Sequence, residues 1–195
     1  ADGGCRMEWR TEPAIIAGAA REDGPELTAR GTVTPDHVIR TKPRPLWLDI
    51  ADGASADAIR STCEQAVQRY AAWYREYFAR IAGRNTSAVA ILDAAPRVVF
   101  VPGVGALTLG RSLADARVAG DIIARSSAVI VHAETVGRYH PVSEADLFDV
   151  EYWSLEQAKL GKQAEKPLAR QVVLVTGGAG AIGVGIGEAC ADAGA

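Results

Sequence analysis

The chain has 195 residues, of which 48% are hydrophobic and 23% charged, and 24 acids against 21 Lys and Arg give a net charge of -3. That apolar fraction supports a packed core in one or two domains, and the absence of a basic excess argues against a nucleic-acid partner. No apolar stretch reaches the ~18–20 residues that span a bilayer, and Cys5, Cys63 and Cys190 are too scattered for a disulfide framework or a Cys-rich zinc site. A soluble, cytoplasmic protein acting on a small molecule is expected.

Residues 1–30 carry an Ala/Ile run at Pro13–Ala20 and a break at Gly24-Pro25, without a decisive period. Gly31 to Pro45 holds Pro35, Pro43 and Pro45, with Arg40, Lys42 and Arg44 near His37, and reads as an extended loop. Pro45 to Ile50 reads as a strand. From Asp57 to Ala82, residues such as Ile59, Cys63, Ala66, Tyr70, Trp73 and Tyr77 recur at steps of three and four. That spacing predicts a long helix whose aromatic stripe faces the core. Arg97 to Val101 reads as a buried strand ended by Pro102-Gly103, and Gly105 to Gly110 as turn-like. Ser112 is placed to cap a second long helix from Leu113 to about Thr135. Ser143 is placed likewise before a helix over Glu144–Lys159, with Asp146 completing a weak capping box. A polar linker follows, at 161–169. Strands and helices alternate, so the class is α/β.

The run Gln171 to Thr176 reads as a buried strand of a parallel sheet, followed by glycines at 177, 178, 180 and 183 and then an apolar helix over 184–193 stopped by Gly194. Strand, glycine turn and helix open a nucleotide-binding βαβ unit. A helix N-terminus offers free N–H groups and positive dipole to a pyrophosphate, and glycines let the backbone approach it. The second strand would lie past Ala195, so a truncated Rossmann domain is expected over 170–195, with its strand at 171–176 frayed for want of neighbours.

These residues resemble the Thr-Gly-x-x-x-Gly-x-Gly opening of short-chain dehydrogenases/reductases. The resemblance implies that Thr176, Gly177, Gly178, Gly180, Ala181, Ile182 and Gly183 hold NAD or NADP, with Ala181 standing where the family has its middle glycine. The family's catalytic Ser, Tyr and Lys have no counterpart in this chain, so no catalytic residue is assigned.

Three stretches of the body, Thr34–Lys42, Pro96–Gly103 and Asp146–Leu160, resemble two-domain proteins that fuse a class II aldolase/adducin-like region to a short-chain dehydrogenase, of the rhamnulose-1-phosphate aldolase/alcohol dehydrogenase type. Residues 1–160 are then the aldolase-like region, with any zinc confined to an upstream half. Within it, Gly103 to Gly110 keeps the frame of the Asn-His-Gly-x-Phe-Thr-x-Gly metal segment, but Val104 replaces the ligand histidine, which points to a degenerate, metal-free unit. The resemblance implies a homo-oligomeric parent in carbohydrate metabolism that moves a hydride between NAD(P) and a small polyol, aldehyde or sugar derivative. A zinc-dependent sugar-phosphate aldolase and a non-catalytic scaffold are the alternatives.

Other candidates stand on chemistry alone. Arg40, Lys42 and Arg44 suit a phosphate or carboxylate, or else a charged loop that packs domains together. His132 and Glu134 lie two apart on a helix and point to different faces. Glu151 and Glu156, beside Tyr152 and Trp153, suit either acid–base work or packing.

Overall fold

The computed structural model describes residues 5–83, 89–160, 166–168 and 171–195. Its sheet has four strands, β1 (Arg6–Arg10), β2 (Leu46–Trp47), β3 (Val98–Val101) and β4 (Gly105–Gly110), in the order β1-β4-β3-β2. Only β2 and β3 run parallel; β1 with β4 and β3 with β4 are antiparallel. The fold is therefore mixed α/β with a small sheet, and the parallel sheet of a Rossmann unit does not occur among the described residues.

The segment expected to be a turn, Gly105 to Gly110, is the second strand from the edge. Its terminal glycines mask a strand pattern of Leu107, Thr108 and Leu109. They are there for space: Gly105 has φ +138°, and a Cβ on it would stand 2.3 Å from the Arg10 carbonyl oxygen of β1. The turn itself is only the three residues between Val101 and Gly105.

Strand alternation divides the core. Val98, Phe100 and Ala106 point to one face, where they meet Ile15 and Ala19 of α1 (Pro13–Ala19) and Ile123 of α5 (Leu113–Val136). Val99, Val101, Leu107 and Leu109 point to the other, against Leu48 and against Cys63 and Ala66 of α4 (Ala56–Ala82). Burying each large aliphatic side chain contributes about 1.5–3 kcal/mol. The far half of α4 forms a separate aromatic layer, in which Tyr74, Tyr77 and Ile81 pack on Phe148 of α6 (Glu144–Glu151).

The second long helix begins at its expected cap, and the first is capped by a serine that its periodicity did not point to. Ser55 Oγ accepts from the Ala58 N–H, and Ser112 with Asp115 forms a reciprocal capping box. The single helix expected over 144–159 is instead two, α6 and α7 (Ser154–Ala158). Trp153 between them is extended (φ -69°, ψ 127°), and the Gln157 side-chain amide donates to the Glu151 carbonyl. Residues 31–45 are not an extended loop throughout: after α2 (Gly24–Ala29), a 3-10 turn at Pro35–His37 leads into α3 (Val38–Thr41). Val38 is fully buried, and that burial folds the segment back onto the protein.

Residues 161–165 and 169–170 of the expected linker lie outside the described residues. The strand expected at 171–176 has no ladder partner among the described residues; residues 171–175 expose Val172 and Leu174 by 83% and 89%. Helix α8 (Ala181–Asp192) follows, starting three residues earlier than the sequence suggested. No described helix is long and apolar enough to cross a membrane.

Candidate functional site

The most unusual backbone among the described residues is at Lys42. Its N–H closes α3 by donating to the Val38 carbonyl (2.9 Å), and the following Pro43 disfavours a helical residue before it. The result is φ 67°, ψ 168°, a conformation almost confined to glycine. It is the one positive φ at a non-glycine among the described residues. The side chain pointed inward by this kink is a buried ammonium, 5% exposed.

Lys42 Nζ lies 3.2 Å from Glu151 Oε1 and 3.9 Å from the centre of the Tyr74 ring. Tyr74 Oη donates to the same Glu151 oxygen at 2.7 Å. Its one proton being used there, the 2.9 Å contact between Tyr74 and Tyr152 has Tyr152 as donor. The Leu92 N–H donates in turn to Tyr152 Oη at 3.3 Å. Glu151 is fully buried, and its Oε2 has no hydrogen-bond partner among the described residues, nor has Tyr77 Oη. Burial lowers the Lys42 pKa, against the opposing pull of Glu151 and with the help of Arg97. Burial and the Glu151 charge push the Tyr74 phenol well above its usual value.

Lys42 and Glu151 border a cavity of about 100 Å³. Arg40, Arg97 and Arg111 add positive charge to its wall, and Asp93 and Asp115 add negative. Arg40 donates to Asp115 (2.9 Å), while Arg97 donates to Asp93 (2.7 Å). Burial raises the Asp93 carboxyl, but the Ala95 N–H and Arg97 more than offset this and hold it below its ordinary value. A small cavity with a cationic majority and an amine–carboxylate pair suits a compact anionic molecule.

The sequence candidates separate in space. Arg40 and Lys42 reach the cavity, but Arg44 stacks over Trp73, 3.7 Å from the ring centre, so the three cations do not converge. Glu151 reaches the cavity; Glu156 pairs with Lys159 at 2.5 Å. His132 is exposed, and Glu134 is structural, accepting from Arg30 (2.8 Å) and from the Tyr139 N–H (2.7 Å). His37 is half-buried with no partner at Nδ1 among the described residues. Arg97, Arg111, Asp93, Asp115 and Tyr74 were not singled out by sequence reasoning. A lysine directly before a proline was the available signal for the site.

The glycine turn is built as a tight support for α8. Gly177 has φ +72°, and the Gly180 N–H closes the turn onto its carbonyl at 2.9 Å. A Cβ on Gly183 would stand 2.3 Å from that same oxygen, so only glycine lets the helix sit so close to the turn. Ala181 is the first residue of α8, and Ile182 is exposed.

Among the described residues no three His, Cys, Asp or Glu side chains gather as a ligand set. Val104, at the expected ligand position, has a hydrocarbon side chain 47% exposed in the β3–β4 turn.

Residues 2–160 match the family described as aldolase class II, second domain. The chain belongs to this class II aldolase family. The aldolase-family domain is also 34% identical over 161 residues to the uncharacterized oxidoreductase YuxG of Bacillus subtilis, strain 168. That alignment covers 82% of this chain but 23% of the relative, so the chain spans under a quarter of the length of the curated protein it matches. The crystal structure of YgbL from Escherichia coli overlaps 74% of this chain and 56% of its own, with a TM-score of 0.49 and 10% identity. At that level the likeness says nothing about chemistry.

Proposed function

We propose that the aldolase-family domain binds a small anionic carbonyl compound of the sugar-phosphate class in the Lys42 cavity. The observation that carries this reading is the wall of the cavity, where Lys42, Arg40, Arg97 and Arg111 outnumber Asp93, Asp115 and Glu151. Arg111 has no ion-pair partner among the described residues and is free to take a phosphate oxygen in a charge-assisted bond. The test is calorimetric titration of dihydroxyacetone phosphate into the protein, with Arg111→Ala as the comparison. Binding weakened about tenfold or more by the variant supports the reading; equal binding, or none, removes it.

A second reading has its own observation. The close packing of Gly183 against the Gly177 carbonyl, which leaves no room for a Cβ, is compatible with a pyrophosphate-binding turn. It supports NAD or NADP held by residues Thr176 to Gly183 in a whole protein with hydride-transfer activity, and the name of the Bacillus relative agrees. The dehydrogenase half, the nicotinamide and a homo-oligomeric assembly belong to this proposal. Titrating NAD and NADP into the full-length gene product and its Gly183→Asp variant tests it, with binding lost in the variant as the expected result.

A further inference from the structure

We infer that β1 is the docking edge for a second copy of this chain, two β1 strands pairing antiparallel about a two-fold axis at Trp9 so that two four-stranded sheets become one. The inference goes beyond the substrate reading above and does not rest on it.

The backbone of β1 is laid out for such an addition. Alternate residues of an antiparallel strand turn their N–H and C=O groups to opposite sides. The Leu109 N–H donates to the Arg97 carbonyl at 2.8 Å, so the odd-numbered residues of β4 bond toward β3. Ala106, Thr108 and Gly110 therefore bond toward β1, where Arg10, Glu8 and Arg6 stand opposite them. The Arg10 carbonyl, which crowds Gly105 of β4, agrees with this phase. It leaves the N–H and C=O groups of Met7, Trp9 and Thr11 directed off the sheet, without a backbone partner among the described residues. Backbone groups in that state are a template for a further strand.

The side chains select the occupant. About an axis at Trp9 the run Arg6-Met7-Glu8-Trp9-Arg10-Thr11-Glu12 is self-complementary, with Arg6 opposite Glu12 and Glu8 opposite Arg10 on both sides of the axis. Opposite charges directly across an antiparallel pair stabilise it, and like charges destabilise it. An axis at Glu8 or Arg10 would set like charges on each other, and one at Met7 or Thr11 would leave half the charges unopposed. Glu12 is still extended (φ -59°, ψ 145°), so the pairing runs that far. Arg6 makes no ion pair among the described residues, while the Glu12 side chain bonds Arg10 and stays 39% exposed. The axis brings these two together.

The two faces of the strand agree with that register. Arg10 points toward α5, donating to Asp121 at 2.9 Å. Met7 and Trp9 point to the opposite face, 61% and 45% exposed beside Leu109 and Leu107. The axis sets the two Trp9 indoles against each other and Met7 against Thr11, which covers both apolar side chains. A patch that complements itself about a two-fold axis is satisfied by two copies and closes there.

The experiment is position-specific disulfide mapping. Trp9→Cys is made in a Cys5→Ser background, both in the 195-residue chain and in the full-length gene product. Each is oxidised with copper phenanthroline and its cross-links are mapped by peptide mass spectrometry, with Met7→Cys and Glu8→Cys as register controls. Sedimentation equilibrium of the unaltered chain, of Arg6→Glu, of Glu12→Arg and of the double variant runs alongside. The expected result is a dimer cross-linked through Trp9→Cys and through neither control. Each single charge reversal weakens the dimer about tenfold or more, and the double reversal, which exchanges the two charges, restores it. A monomer in sedimentation overturns the inference, as does a dimer indifferent to the reversals or cross-linked through a control position instead. A Trp9→Cys cross-link in the 195-residue chain but not in the full-length product also overturns it, because another part of the longer protein then covers the edge.

Discussion

Lys42 and Glu151 meet at 3.2 Å although 109 residues separate them, and they tie the end of α3 to the end of α6 deep inside the protein. Removing one partner of a buried pair leaves an uncompensated charge, typically worth about 3–5 kcal/mol. Lys42→Ala is therefore expected to lower stability by roughly 3 kcal/mol or more in urea unfolding. Lys42→Gly removes the same ammonium but relaxes the backbone. It is expected to be more stable than Lys42→Ala by roughly 1–3 kcal/mol; equal stability of the two variants would show that φ 67° is not strained.

The acid limb of the stability curve is expected to depend on two surface-side carboxylates. The Arg10 guanidinium holds Glu12 below its ordinary value near 4.5, and the Tyr139 N–H, with Arg30, does the same for Glu134. A carboxyl whose folded pKa is depressed contributes stability that is complete above that ordinary value and lost as pH falls through the folded one. The double variant Glu12→Gln, Glu134→Gln should have a flatter stability profile below pH 4.5, read from urea midpoints at a series of pH values. An unchanged slope would count against both pairings.

The glycines of α8 are expected to split into two kinds. Nothing lies within 4 Å of a Cβ added at Gly185, so Gly185→Ala should strengthen the helix by about 1 kcal/mol. Gly183→Ala should do the reverse, because the obstacles are backbone atoms of Gly177 and Gly178. Hydrogen exchange at the Val184 amide, which donates to Gly180 at 2.9 Å, separates the cases: slower in the first variant and faster in the second.

Ser112 caps α5 and engages Asp115 on both sides of its box. Ser112→Ala is expected to cost about 1 kcal/mol. Because Asp115 also accepts from Arg40, the same variant should weaken binding in the cavity, and a thermal shift without any change in ligand affinity would separate the cap from the site.

Helical periodicity made α4 and α5 legible almost to the residue, since both bury one stripe, and Ser112 marked the start of α5. Short elements were less so. In β4 the terminal glycines looked like turn residues because the sequence does not reveal how near Arg10 passes. In α3 the prolines on either side hid a four-residue helix held by the burial of Val38. At the site, Arg40, Lys42 and Glu151 were visible as charged candidates, but their grouping was not. Lys42 is aligned with Glu151 by a backbone kink and a tertiary approach, and neither leaves a period in the sequence. The sequence paired Lys42 with Arg44, whose guanidinium lies instead on Trp73.

The bare apolar run at 171–175 bears on how this chain behaves in concentrated solution. Val172 and Leu174 face water on a segment with no strand alongside among the described residues, and extended, aliphatic, uncharged backbone is a template for adding further strands. Open-ended self-association of the 195-residue chain should therefore begin there rather than at the four-stranded sheet. A single lysine in place of Val173 would act as a gatekeeper, raising solubility without touching the core of residues 5–160.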